Sequence, residues 1–438
     1  MILSLINVYF FSIITPAMLL IFGAIITLKL RSFYIFHPIK SIRLLLTKEK
    51  STSTSPFSAM CLALAGTLGV GNIVGVASAI MIGGYGSIFW MWISALLAMS
   101  LKYAEILISM KYRKRTSDGF KGGAAYYIFE AFSRLHMPKI ARIFSSAFVI
   151  FCVLNSLTMG CMLQSNAISS SFSHAFGLSP ANIGIVTAAL FALAINFRSG
   201  KVEKITGIIV PIMSVAFLLV CSIAIISRRQ MLPDAFKSIV TNALSPHSVG
   251  GGMLGFIFSR AFRAGSMRGL ISNEAGAGTA PTAHAMSDTQ IPEKQGLMGV
   301  FEVFADTIII CTLTALVIIL SGADLNVNDP MTLIINAFSS FFGSFAEFFI
   351  CISIFLFAFA TLICWAKYGK SALAYLTRSK ALNIVYTTTF TALIILGTLS
   401  APSFIWDISD ISIGVMTILN LCAIFILRKE ITIPRFKK

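Results

Sequence analysis

The stretch from Ala65 to Trp92, AGTLGVGNIVGVASAIMIGGYGSIFWMW, constrains this chain more than any other. It is apolar enough to cross a membrane yet places glycines where a spanning helix has no use for them. Gly66, Gly69, Gly71 and Gly75 crowd its middle, with Asn72 among them. In hydrocarbon an unpaired backbone amide is so costly that a broken helix persists only where protein or a polar cavity satisfies the freed groups. A break here therefore implies a site. Glycine supplies the dihedrals and the close approach, and a half-helix beginning near Asn72 would aim its amide dipoles at whatever occupies the gap.

The rest of the chain agrees that its solvent is lipid. Of 438 residues, 57% are hydrophobic and only 12% charged, and the mean hydropathy is +0.87, which is the balance of a polytopic helical membrane protein. Apolar runs fall at 7–28, 57–82, 85–110, 143–165, 181–197, 205–226, 250–283, 297–320, 344–366, 382–400 and 405–427, eleven in all. The first has no basic stretch ahead of it and is long enough to span, so it reads as a retained helix rather than a cleaved leader.

A net charge of +17 would suit a nucleic-acid binder, but its distribution argues for topology instead. Of 34 Lys and Arg, 27 fall in alternate loops and the C-terminal tail, and three, Arg228, Arg229 and Lys237, in the other loops. That asymmetry places the basic loops in the cytoplasm, with the N-terminus outside and the C-terminus inside a cytoplasmic (inner) membrane. The eight cysteines lie inside apolar runs without CxxC or CxxH spacing, so neither a disulfide framework nor a zinc site is indicated. They read as small hydrophobes.

With the first run set aside, ten remain, and the first and sixth of these have the most interrupted middles. The sixth contains RGLISNEAGAGTAPTAHA and reaches Pro281. Five is odd, so two halves of five enter from opposite faces. The expected fold is therefore an all-α membrane protein with eleven transmembrane helices, a 5+5 inverted repeat with two broken helices and one extra N-terminal helix. The whole chain, 1–438, reads as one transporter domain: extra helix 7–28, first repeat 57–226, second repeat 250–427. The longest loop, 111–142, contains GGAAYYIFEAF, which reads as an interfacial helix, and basic residues suited to anionic head groups.

Polar residues inside apolar runs are functional by default and need partners. Asn72 would coordinate a cation or substrate, or else cap the second half-helix. Glu274 would bind a cation, pair with Arg268 or hold freed amides. For Glu105 a local pair with Lys102, or snorkelling, reads best. Glu302 and Asp306 are spaced i,i+4, which suits a proton or a metal, or else they are wetted at a helix end. Gln164 offers donor and acceptor to a zwitterion or makes an interhelical hydrogen bond. Thr361 is a candidate sodium ligand or a back-bonded hydroxyl. The histidines do not cluster, and no nucleophile stands with a base, so enzymatic chemistry has no support. The GGYG of Gly83 to Gly86 reads as a turn between helices.

GVGNIVGVASAI, GGYGSIFWMW, AYYI, MRGLISNEAGAGTAPTAHA, QGLMGVFEVFADT and the Trp365 region together resemble the alanine or glycine:cation symporter family, from about Ser58 to Tyr375. That family imports small neutral amino acids with sodium and resembles the leucine-transporter fold. The resemblance implies a substrate carboxylate at Val70 and Gly71 beside Asn72, faced by Ser272, Asn273 and Gly276, with Gln164 completing the pocket. It also implies a sodium ion held by Ala65, Leu68 and Thr361, with Asn72 near both. Helix breaks supply carbonyl oxygens to hard cations without adding charge. The chain departs from the family's usual residues at Val70, where Thr is usual, at Ala360 (Ser), Cys161 (Asn), Tyr85 (Pro) and Lys367 (Tyr).

The expectation is cation-coupled symport of alanine, glycine or a similar amino acid by alternating access, with sodium as coupling ion and no cofactor. Proton coupling and a non-transporting amino-acid sensor are the alternatives, and a passive channel is a further rival. Membrane lipid is an expected partner and nucleic acid is not.

Overall fold

The computed structural model describes residues 11–47, 54–116, 119–195, 201–244 and 259–434. The start of the run expected at 7–28 and the first part of that at 250–283 lie outside the described residues. The described residues are mostly helical. Helix α1 (Ser12–Leu30) is followed by the short α2 (Pro38–Leu45) and then by α3 (Pro56–Thr67) and α4 (Val74–Gly83), the two halves of the glycine-rich run. Next come α5 (Gly86–Tyr112), a small antiparallel ribbon of β1 (Lys114–Thr116) with β2 (Gly119–Lys121), and α6 (Ala124–Arg134). Helices α7 (Pro138–Leu157) and α8 (Leu163–Phe176) are joined by a π turn at Thr158–Met162. Then follow α9 (Pro180–Ile195), α10 (Lys201–Ser227) and α11 (Leu232–Ala243).

The second half opens with α12 (Arg260–Asn273) and α13 (Ala280–His284). Helices α14 (Pro292–Val303) and α15 (Thr312–Ser321) flank a π segment at Phe304–Cys311. Helices α16 (Pro330–Phe342), α17 (Phe345–Leu376), α18 (Lys380–Leu399) and α19 (Pro402–Ile426) complete the chain. Proline opens several of these helices, because the first turn has no use for the missing N–H.

Among the described residues, eight helical stretches are long and apolar enough to cross a membrane. Three of the eleven expected runs are not among them, each for a physical reason. Residues 56–83 are split by a break, α9 is only 16 residues long, and the run ending near His284 is both broken and partly outside the described residues. The run expected at 143–165 is longer than its apolar centre, since α7, the π turn and α8 form one 39-residue stretch. The loop helix α6 is amphipathic as expected, but Tyr127, Ile128 and Ala131 are fully buried against protein. Its flanking bases bind protein as well. Arg113 donates to the carbonyls of Ser287 and Thr289, and Arg134 pairs with Glu430.

Helix α10 shows how the outside is built. Ile208, Ile212, Val215, Leu219, Ile223 and Ile226 recur every third or fourth residue and are all more than half exposed, which is a lipid-facing stripe. Inside, small residues let helices touch, the usual glue where hydrophobicity gives no preference between lipid and protein. A Cβ on Gly265 of α12 would lie 2.1 Å from the Ser87 carbonyl oxygen on α5, and one on Gly160 would lie 2.4 Å from Trp365 of α17. Seven cysteines are buried and Cys422 is half-buried, and they pack as the small hydrophobes expected.

The contact at Gly265 generates a test of packing. Gly265→Ala meets backbone that has to shift, and should lower the thermal unfolding midpoint in detergent by the equivalent of about 1–3 kcal/mol. Gly75→Ala meets nothing nearer than 4.0 Å and should leave the midpoint unchanged or raise it; equal losses at both positions would refute the packing argument.

Candidate functional site

The first break begins where Leu68 (φ −72°, ψ 80°) leaves the helix after Thr67; one 3-10 turn, Val70–Asn72, follows before α4 resumes at Val74. Two glycines make this possible by proximity rather than by unusual dihedrals. A Cβ on Gly69 would sit 2.8 Å from Thr361 Oγ1 and 3.0 Å from Gln164 Oε1, and one on Gly71 would sit 3.3 Å from the Cα of Ser272. The second break runs from Glu274 to Thr279, between α12 and α13. Here positive φ is required at Glu274 (52°), Gly276 (81°) and Gly278 (79°), a local sequence that only glycine-rich chain follows cheaply. The two breaks meet where Gly71 faces Ser272.

Asn72 braces this seam. Its Oδ1 accepts from the Gly69 amide at 3.1 Å, while its Nδ2 donates to Asp306 Oδ1 at 2.8 Å and to Ser272 Oγ at 3.1 Å. Ser272 Oγ and Thr307 Oγ1 each donate to Asp306 Oδ2 at 2.7 Å. Asp306 thus ties the α14–α15 segment to both breaks, with neutral donors as its described partners.

The carbonyls freed at the end of α3 converge on α17. Thr361 Oγ1 lies 2.9 Å from the Ala65 carbonyl oxygen and 3.3 Å from that of Leu68, and also 2.9 Å from Phe357 O in its own helix. Trp365 Nε1 donates to Gly66 O at 3.3 Å. The Val70 amide donates to Gln164 Oε1 at 3.2 Å, and Gln164 Nε2 donates to Met159 O in the π turn. The oxygen set of Ala65, Leu68 and Thr361 can take a hard cation, and the amides at Val70 and Gly71 can take an anion.

The second break is held by a buried ionic group. Lys102, Glu105, Glu274, His284, Glu302 and Asp306 have no accessible surface. Lys102 Nζ pairs with Glu302 Oε1 at 3.0 Å and donates to the Asn273 carbonyl at 2.8 Å. Glu302 Oε2 lies 3.0 Å from His284 Nε2, whose Nδ1 meets Gln295. Glu105 Oε2 accepts from the Gly278 amide and from Asn420, which also donates to Gly276 O at 2.8 Å.

Several expected roles change. Lys102 pairs with Glu302, not with Glu105, and does not snorkel, because the freed Asn273 carbonyl and a fully buried carboxylate both lie within its reach. Glu274 pairs with Thr279 Oγ1 at 2.6 Å, while Arg268 reaches Asp410 Oδ1 at 3.5 Å. Glu302 and Asp306 are neither wetted nor a joint metal site, because the π segment disrupts simple i,i+4 stacking and each has its own partners. Among the described residues, no group of three His, Cys, Asp or Glu could hold a metal.

Val70, Gly71, Asn72, Gln164 and Ser272 come together, as do Ala65, Leu68 and Thr361. Gly276 does not join them and sits against Leu101 and Leu421. Asn273 turns its amide to Thr307 at 3.1 Å. Asp306 was visible in the sequence only as a spacing; nothing in that spacing announced its contact with Asn72, 234 residues away.

The family described as sodium:alanine symporter family matches residues 1–434. A probable sodium/glutamine symporter of Bacillus subtilis is 35% identical over 424 residues, covering 94% of this chain and 85% of its own length. A sodium/alanine symporter of Methanococcus maripaludis is 31% identical over 416 residues, covering 92% of this chain and 89% of its own. An amino-acid carrier protein of Bacillus subtilis is 32% identical over 382 residues, covering 86% and 79%. Among solved structures, a Na+-coupled sialic acid symporter in a substrate-bound, outward-open state superposes with a TM-score of 0.52 at 12% identity, covering 93% of this chain and 81% of its own. That likeness concerns the fold.

The ionic group gives a second test. Lys102→Met strands Glu302 and should cost about 3–5 kcal/mol of stability. Lys102→Met with Glu302→Gln should recover a large part of it, read as a double-mutant cycle of thermal unfolding in detergent; simple additivity would show the pair to be uncoupled.

Proposed function

This chain belongs to the sodium:alanine symporter family, a family of multi-pass membrane transporters rather than enzymes, and from that premise we propose that it imports a small neutral amino acid such as alanine or glycine with sodium by alternating access. In this reading the chain makes eleven passes through the cytoplasmic membrane, N-terminus outside and C-terminus inside, as a 5+5 inverted repeat plus the N-terminal helix. One observation carries it: Thr361 Oγ1 and the carbonyls of Ala65 and Leu68 converge at a helix break whose next residues, Gly69 to Asn72, form the seam with Ser272.

Sodium occupies the Ala65, Leu68 and Thr361 oxygens. The substrate carboxylate takes the Val70 and Gly71 amides, displacing Gln164 Oε1, and Gln164 then turns to the ligand. Asn72 holds both sites in register through Gly69, Ser272 and Asp306. Because one short segment serves ion and substrate alike, each ligand stabilises the geometry the other needs, which is the condition for coupled transport. Asp306, buried with neutral described partners, supports a second reading in which a proton is the coupling ion.

Uptake of labelled L-alanine, glycine and L-glutamine into liposomes holding the purified chain tests this. An inward sodium gradient should drive accumulation of at least one of them, and no accumulation under either a sodium or a proton gradient would overturn the proposal. Thr361→Val should weaken sodium activation about tenfold or more, and Ala360→Ser should strengthen it. Asn72→Ala should weaken substrate or ion binding by about 1–3 kcal/mol. If a proton drives the carrier, Asp306→Asn should abolish accumulation under a proton gradient while leaving exchange intact.

A further inference from the structure

Helices α1 and α19 run in the same direction and end side by side. The rings of Phe22 and Phe425 meet edge to face at 5.5 Å, and equally far back along each segment a Cβ on Gly414 would touch the Phe11 ring. At the shared end Lys29 Nζ donates to the main-chain carbonyl of Arg428. Arg31 closes α1 two residues on, and Lys429 stands exposed beside Arg428 in the turn that follows α19. Four cations therefore gather at one corner of the molecule.

Basic residues at a helix C-terminus ordinarily answer its dipole and its last carbonyls, and part of the corner does this. Arg428 Nη1 donates to Phe425 O at 2.9 Å, with its guanidinium 4.3 Å over the Phe425 ring. The magnitudes do not balance, however. Two helix ends supply about one negative elementary charge between them, against four cations, which leaves about three uncompensated. The adjacent acid is already engaged: Glu430 accepts from Tyr112 at 2.6 Å and pairs with Arg134, while Lys111 donates to its main-chain carbonyl. Among the described residues none of the four cations is ion-paired with a carboxylate. The corner is short of an anion.

Its surroundings say which kind. On α1, Ile21, Ile25 and Leu28 recur at helical spacing, all exposed, and Lys29 continues that stripe one turn beyond Ile25. Beyond the corner, left-handed backbone at Arg31 (φ 50°) and Ser32 (φ 45°) ends α1, and buried Phe33 and Tyr34 pin the turn to α5 at Tyr103 and Ser100. Helix α2 then buries Ser41 and packs Leu44 and Leu45 on the protein, leaving Ile35 and Phe36 before it and Ile39, Ile42 and Leu46 along it more than half exposed. A helix with one face on protein and an apolar stripe outward lies at the level of the lipid head groups. Water would suit it badly.

We infer that this corner binds a phospholipid with a negatively charged head group from the cytoplasmic leaflet. The phosphate sits between Lys29 and Arg428, Arg31 and Lys429 face the rest of the head group, and an acyl chain follows Leu28, Ile25 and Ile21. A basic pocket between two helix ends supplies the charge, and the apolar stripe leading into it selects a lipid over a soluble anion. From the proposed function the inference takes only the sidedness of the membrane; nothing in it requires transport.

Thermal unfolding of the full-length chain in detergent tests this, with added phosphatidylglycerol, phosphatidylcholine of the same acyl chains, or inorganic phosphate. Phosphatidylglycerol should raise the midpoint saturably, and the other two should not. Lys29→Gln with Arg428→Gln should raise the concentration for half the effect about tenfold or more, and Lys29→Gln alone should show part of that shift. Lys29→Arg with Arg428→Lys, which keeps both charges, should respond as the native chain does. Arg115→Gln with Lys139→Gln removes two exposed charges elsewhere on the basic side and should also leave the response unchanged. No preference for phosphatidylglycerol over phosphatidylcholine, equal stabilisation by inorganic phosphate, or an equal loss in the Arg115 and Lys139 pair overturns the inference. So does labelling of Lys429→Cys from outside intact cells by a membrane-impermeant maleimide, for which the buried and half-buried native cysteines give little background. Gradient-driven uptake without the lipid preference would leave the transport reading standing and remove this site. The lipid preference without uptake would do the reverse.

Discussion

Everything in this molecule depends on how two interrupted helices keep their backbone satisfied where there is no water to do it. At the first break, carbonyls of Ala65, Gly66 and Leu68 and the amides of Gly69 and Val70 are met by Thr361, Trp365, Asn72 and Gln164. At the second, the carbonyls of Asn273 and Gly276 and the amide of Gly278 are met by Lys102, Asn420 and Glu105. The partners come from α5, α8, α17 and α19, so the breaks cannot exist apart from the bundle that surrounds them.

This arrangement explains why charge is buried so freely. A lone ammonium in hydrocarbon would be prohibitive, but Lys102 answers a freed carbonyl and a carboxylate at once, and Glu302 is shared with His284. The two breaks are nevertheless treated differently. The first is held by neutral groups and one hydroxyl, leaving oxygen and amide dipoles that a ligand can exchange for its own. The second is locked by ions that have little to gain from letting go. The two breaks are joined through Asn72, Ser272 and Asp306.

The sequence by itself determined the class of fold, the two breaks and the small set of residues at the first of them. Long apolar runs call for spanning helices, and glycines clustered with a polar residue inside such a run point to a break. What only the tertiary structure decided was who answers whom. Lys102 lies three residues from Glu105 in the chain, yet pairs with Glu302. Arg268 passes over Glu274 for Asp410, and Gly276 turns away from the seam. Buried charges choose partners by desolvated distance across helices, and the π turns at Thr158 and Phe304, which aim Gln164 and Asp306 inward, leave no mark in hydrophobic periodicity. Local spacing reveals which groups must find partners; helix packing alone sets which partners they find.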